Sequence, residues 1–254
     1  MRPRRVRTVH RMSRTGRVAD RGPGPRTVVA GAIAVVLWAL AASCAGSAAV
    51  PGRGSAPGSV AGPSSSSTPI GDIPAGDARA QLAALVIDDH PAPEGEYRRS
   101  DWPTWLDIDG DGCDARSQAL IAQSTTKAQV SFPGCQVVAG DWVSPYDGVS
   151  TDVPGDLDAD HMVPLENVWQ SGGWRWEAAE RRAYANDQAV LVMVTAHANR
   201  SKGAKTPADW RPPLESDWCG YARTWVSLKV TWHLSATTRE RDALGQMLDS
   251  CPST

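Results

Sequence analysis

The sequence predicts an α+β fold, rich in helix and poor in strand. Three observations carry this expectation. Segments with apolar residues at helical spacing recur from residue 77 to the C-terminus, strand-like runs are few and short, and four cysteines are spread through the same region. There is no internal repeat.

The chain has 254 residues, enough for one or two domains, but its first 70 or so build no core. Residues 1–44 read as an export signal: an Arg-rich start, then TVVAGAIAVVLWALAAS (Thr27–Ser43), an apolar run of about 17 residues that suits a signal peptide better than a membrane span. The run ends in LAASC, which resembles a bacterial lipoprotein signal with Cys44 as the lipidated residue on the outer face of the membrane. Leu40 lies four residues before Cys44, where that pattern has its leucine three before. A cleavage site with an incidental cysteine is the alternative, so the chain is either secreted or a cell-surface lipoprotein. Residues 45–75 are rich in Gly, Ser, Pro and Ala, including PSSSSTP (Pro63–Pro69), and read as a flexible tether. Residues 76–254 then form the exported domain.

Within that domain, DARAQLAALVID (Asp77–Asp88) and SQALIAQST (Ser117–Thr125) have helical spacing. QVVAGDWVSP (Gln136–Pro145) alternates like a strand and runs into a Pro-Tyr-Asp-Gly turn. EAAERRAYANDQ (Glu177–Gln188) is a helix by propensity, and AVLVMVT (Ala189–Thr195) is a short apolar run that suits a buried strand. GYARTWVSLKVTWHL (Gly220–Leu234) sets Tyr221, Trp225, Leu228 and Trp232 on one helical face, and TRERDALGQMLDSC (Thr238–Cys251) is a last amphipathic helix.

Cys113, Cys135, Cys219 and Cys251 are an even number in an exported domain and point to two disulfides. Four cysteines allow three pairings, and sequence alone does not choose. Cys113–Cys135 with Cys219–Cys251 is favoured because each closes a short loop. No clustered Cys/His spacing supports a structural zinc site. Residues 1–70 hold ten Arg and one acid, which leaves 16 basic against 27 acidic residues beyond them, about −11. That balance argues against a broad, sequence-independent grip on nucleic-acid backbone and is compatible with a cation-dependent site. Eleven tryptophans against one phenylalanine mostly fill a core, though Trp102, Trp105 and Trp142 lie in loop-like contexts where an indole can stack on a ligand.

Three stretches carry chemistry. DIDGDGCDARSQ (Asp107–Gln118) places Asp107, Asp109 and Asp111 at alternate positions before Gly112, like the start of an EF-hand calcium loop, but Gln118 stands where that loop has its bidentate Glu. It is either a structural calcium loop or an Asp/Gly turn beside a disulfide. DLDADHMVPLENVW (Asp156–Trp169) clusters Asp158, Asp160 and His161: acids suited to a hard divalent metal and an imidazole able to take a proton from water. Alone it reads equally well as a surface loop. The third, AHANRSKGAKTPADWRPP (Ala196–Pro213), follows the apolar run and adds Asn199, with Asn186 just before that run.

The order acid–His, Pro, Asn, strand, Asn, Lys-Gly resembles the HNH endonuclease superfamily, in which two strands and a helix, the ββα-metal or His-Me finger fold, build one nuclease site. The string DADHMVPLENVWQSGG…YANDQ…NRSKG looks like the secreted bacterial branch related to the C-terminal domain of GmrSD-type restriction nucleases. The similarity is tightest over residues 156–213 and looser from Cys113 to Cys251. It implies a ββα-metal core with additional helices, and assigns residues to roles. Asp160 matches the metal-binding acid at the end of the first strand, and His161 the general base. Asn186 matches the asparagine that orients the loop and the histidine backbone. Asn199 matches the second metal ligand, with His197 as rival, and Asp158 a supporting or additional ligand. Lys202 and Arg200 would face phosphate. Lys205, Trp210 and Arg211, in the Pro-rich exit, would contact nucleic acid or simply pack on the core.

The chemistry is consistent with those roles. His161 would deprotonate a water, and one divalent metal, magnesium first with manganese or calcium as alternatives, would bind the scissile phosphate and the leaving oxygen. A base must be neutral, so activity should fall at acid pH. Adjacent strand residues point to opposite faces, so Asp160 and His161 serve one site only if the strand ends or bends there, as Pro164 allows. The resulting expectation is an exported, metal-dependent endonuclease acting on nucleic acid, DNA before RNA, with no protein partner. A non-catalytic cell-surface binding module on the same fold is the alternative, and a phosphodiesterase of another envelope polymer a third.

Overall fold

The computed structural model describes residues 73–252. The expected signal, Cys44 and nearly all of the tether lie outside the described residues. Seven helices and three separate two-stranded antiparallel sheets make up the described part. None of its helices is long and apolar enough to cross a membrane.

Helix α1 (Ala75–Ala84) starts at the last residue of the expected tether. Helix α2 (Ala115–Gln123) begins where the Asp114 carboxylate accepts from the Ser117 N–H, capping its first turn. The run read as one strand is broken in two: β1 (Gln129–Ser131) pairs with β2 (Gln136–Ala139), and β3 (Trp142–Val143) pairs with β4 (Ser150–Thr151). Gly140 makes the break. A Cβ there would lie 2.6 Å from Trp142 Cη2, so only glycine lets the chain turn tightly enough to bury that indole, whose Nε1 donates to Leu120 O at 2.9 Å.

Strand β5 (Leu157–His161) and strand β6 (Leu191–Thr195) pair antiparallel, with Asp158 opposite Val194, Asp160 opposite Val192 and His161 opposite Leu191. Between them come α3 (Leu165–Gln170) and α4 (Ala178–Asn186), the latter opened by a Glu177–Glu180 capping box. Both faces of the β5–β6 pair are covered. Leu157, Ala159, Leu191 and Met193 pack with α2 and Trp142, while Val192 and Val194 join the larger helical core. This double burial is why β6 reads as a continuous apolar run rather than an alternating one. Helix α5 (Ala196–Lys202) follows β6 at once: the Thr195 hydroxyl caps it by accepting from the Ala198 N–H, and Gly203, at φ +53°, ends it. It packs on both β5 and β6.

Helices α6 (Trp218–Thr231) and α7 (Thr238–Leu248) close the fold. Tyr221, Trp225 and Leu228 are buried as their spacing predicts, and Trp232 caps the end of α6. Lys229 on α6 is fully buried, 2.8 Å from Glu240 of α7, and donates to Ser171 Oγ at the end of α3 and to Ser235 O. Trp225 Nε1 also donates to Glu240. The two disulfides are Cys113–Cys135 and Cys219–Cys251. Trp102 and Trp142 are core residues, not exposed stacking surfaces.

Candidate active site

The end of β5 and the last turn of α5 bring most of the candidate residues together. Asp160 is buried at 6% exposure, and both its oxygens are engaged. Lys202 Nζ lies 2.7 Å from Oδ2 and donates to Oδ1 at 3.0 Å, while the Tyr146 hydroxyl donates to Oδ2 at 2.8 Å. Burial pushes the Asp160 carboxyl up and the Lys202 ammonium down, and each partner's charge opposes the other's shift. Lys202 is therefore not a phosphate contact. Gly203 stops the helix immediately after it, and the side chain turns inward with no exposure. Its ammonium also donates to His161 O at 3.0 Å, which ties the carboxylate and the backbone of the neighbouring histidine to one cation.

His161 is the last paired residue of β5, and Met162 N still bonds Val190 O. No bend precedes it, so Asp160 and His161 leave the strand toward opposite faces. The imidazole Nε2 lies 3.0 Å from Ala185 O at the end of α4. A carbonyl oxygen only accepts, so Nε2 carries the hydrogen and Nδ1 is left with a lone pair. The ring is stacked between Trp105, at 5.9 Å between centroids, and Tyr184, at 6.4 Å. Burial lowers its pKa from 6.5 to about 4. The bond to Ala185 opposes that shift, and the charges of Arg99 and Lys202 add to it. The imidazole is thus neutral at pH 7.

Asn186 does not reach the His161 backbone. Its Nδ2 donates to Pro103 O and Arg182 O, and its Oδ1 accepts from Leu106 N at 2.9 Å. It fastens the loop Pro103–Leu106, and with it Trp105, over the histidine. Its effect on His161 runs through that loop.

Asn199, half-buried on α5, donates from Nδ2 to Asp158 Oδ2 at 3.0 Å. That leaves one further oxygen on each side chain, a carboxylate and an amide, at the partly exposed edge of β5 and α5. Such oxygens suit a hard divalent ion. Asp160, with an ammonium already against it, does not. His197 and Arg200 are exposed on the same helix. Lys205 donates to Ser201 O, Trp210 packs on Tyr146 at 5.3 Å, and Arg211 donates to Gln246. Lys205 is exposed, and Trp210 and Arg211 are half-buried.

Asp107, Asp109 and Asp111 are exposed and offer oxygens within 4.8 Å of one another, the one such acidic group among the described residues. Asp107 accepts from Gly110 N and Gly112 N, both at positive-φ glycines, and Gln118 Nε2 donates to Asp109 at 3.1 Å. Gln118 thus answers Asp109 with a donor where an EF-hand has a ligand.

Three residues at the site escaped the motif reading: Tyr146, Trp105 and Arg99. Tyr146 lies in a stretch that reads as a plain turn. Trp105 adopts φ +58°, outside the usual range for its type, which nothing in the sequence signals. Arg99 stands in the basic, aromatic run YRRSDW (Tyr97–Trp102), a pattern that could have been flagged.

The family described as GmrSD restriction endonucleases, C-terminal domain, matches residues 119–247. A protein of Arthroderma benhamiae named "Uncharacterized secreted protein" is 37% identical over 186 residues, 72% of this chain and 89% of that one. No solved structure matches.

Proposed function

The chain belongs to the family of GmrSD restriction endonuclease C-terminal domains, and from that premise we propose that it is an exported, metal-dependent endonuclease hydrolysing phosphodiester bonds, in DNA before RNA. The observation that carries the reading is the state of His161: a buried, neutral imidazole with Nε2 fixed by Ala185 O and Nδ1 free to take a proton. In this reading β5, β6 and α5 are the two strands and the helix of a ββα-metal core.

His161 Nδ1 accepts the proton of the attacking water. Trp105 and Tyr184 hold the ring in plane, and Asn186 holds the loop that carries Trp105. Lys202 neutralises Asp160 and fixes the His161 carbonyl, so the base sits on a rigid strand end. Asp158 and Asn199 would hold the divalent ion on the Asp160 face of β5, opposite the face from which His161 leaves, so base and ion serve one phosphate only around the end of the strand; the ion when bound would supply charge stabilisation to the phosphate and its leaving oxygen. Arg200, exposed on the same helix, would meet a neighbouring phosphate. The two disulfides and the secreted relative support export, and Cys44 is the residue by which the chain would be anchored if it is lipidated.

The test is plasmid nicking by the disulfide-intact domain with magnesium, manganese, calcium or EDTA, beside His161→Ala and Asn199→Ala. Cleavage that needs metal and is lost in both variants is the expected result. No cleavage by folded protein with any metal would move the function to a binding module. Cleavage that survives His161→Ala would unseat the base.

A further inference from the structure

We propose that Arg99, upstream of the family-matched region, is the phosphate-binding arginine of this site. The inference rests on the nuclease reading and adds a substrate contact that the motif string does not contain.

The expected contact, Lys202, is consumed by Asp160. Arg99 occupies a short 3₁₀ turn, Arg99–Asp101, and its guanidinium donates to Trp102 O and to Thr104 Oγ1. Those bonds seat it on the loop that presents Trp105 to the imidazole. Asn186 clamps the same loop to the end of α4, and Ala185, one residue earlier, receives the His161 N–H. Arg99, Trp105, Asn186 and His161 are therefore one connected assembly. Arg99 is exposed, and its charge reaches the His161 ring.

Among the described residues, Arg99 joins none of the ion pairs, although this part of the chain is rich in acids. Two of its five N–H donors are used on the loop, which leaves three on an exposed side chain. A guanidinium held at two points, outside every ion pair and seated on the loop that carries Trp105 to the imidazole, suits the fork geometry of a phosphodiester oxygen pair. Trp105 then serves as a positioning residue: it holds the base while Arg99 holds the phosphate the base acts beside.

The experiment compares wild type with Arg99→Ala, Arg99→Lys and, as control, the exposed neighbour Arg98→Ala. Two readouts are taken: steady-state cleavage of a fluorescent duplex with magnesium, and anisotropy of the same duplex in EDTA across a salt series. Circular dichroism verifies folding, and Arg99→Lys decides should Arg99→Ala not fold. Expected are a loss of about 10–100-fold in kcat/KM for Arg99→Ala, carried more in KM than in kcat, partial recovery in Arg99→Lys, and a salt slope shallower by about one phosphate contact. Arg98→Ala should match wild type. Unchanged cleavage and slope in Arg99→Ala would overturn the proposal. A wild type that binds the duplex through Arg99 without cutting it would end the nuclease reading and keep the phosphate site. A wild type that neither binds nor cuts would end both.

Discussion

Two buried lysines do different work with the same chemistry. Lys202 meets Asp160 at 2.7 Å and Lys229 meets Glu240 at 2.8 Å, both ammoniums without exposure. Lys229 spends its remaining donors on Ser171 Oγ and Ser235 O, and so locks α6, α7 and the end of α3 together. Lys202 spends its own on His161 O, one residue from the carboxylate it neutralises. The first pair is a joint between helices. The second ties down the strand end that carries His161. A buried ion pair is weak evidence of stability in itself, because desolvation offsets the attraction. What it touches decides what it is for.

Neutral isosteric variants sharpen this contrast. Lys229→Met leaves Glu240 charged in the core and should cost about 3–5 kcal/mol in denaturant unfolding, with unchanged kcat in whatever remains folded. Lys202→Met should cost a comparable amount and also lower kcat, because the strand end beneath His161 loses its tie. If Lys202→Met destabilises without touching kcat, the two pairs are equivalent and the supporting role is gone.

The next effect is a pH dependence that belongs to the site alone. The folded His161 has its pKa lowered to about 4, against 6.5 for an unperturbed imidazole. As pH falls below 6.5 the unfolded chain takes up a proton that the folded chain refuses until about pH 4. Stability from this group is therefore full above 6.5 and lost toward pH 4, by about 3 kcal/mol. Unfolding in EDTA at pH 7 and pH 4 measures it, and the difference between wild type and His161→Gln isolates it. A His161→Gln curve parallel to wild type would show that the imidazole titrates normally. By the same reasoning the acid limb of cleavage should lie well below pH 6.5.

Smallest is the exposed pair Arg79–Asp249, at 2.8 Å with both side chains largely solvated. Asp249→Asn should change stability by less than about 1 kcal/mol, and less still in high salt. A larger loss would mean that the surface of this acidic domain is not screened as assumed.

Much of the site was legible because it is linear. Asp158, Asp160, His161, Asn186 and Asn199 stand in motif order; the apolar run of β6 was plain in the sequence, while β5 and α5 were expected only from the family resemblance. Helices α1, α2, α4, α6 and α7 were legible from their spacing or propensity, the short α3 was not, and both disulfides formed as their short loops favoured. The parts that were not legible depend on contacts between distant segments. Nothing local distinguishes a lysine that reaches solvent from one that folds back 42 positions onto Asp160. The break at Gly140 follows from where the Trp142 indole lies, not from any breaker signal stronger than a glycine. Asn186 holds a loop about 80 positions upstream, a relation no motif spacing could encode.

The pairing of β5 with β6 has a kinetic side. His161 and Leu191 become neighbours only once residues 162–190 have folded back between them, and the carbonyl that orients the imidazole lies inside that excursion. Such non-local closure comes late, because its entropy cost precedes its contacts. A chain still emerging from synthesis or export, with α4 undocked, has the histidine but no acceptor to set its tautomer. The orientation of the His161 ring is thus a property of the finished topology.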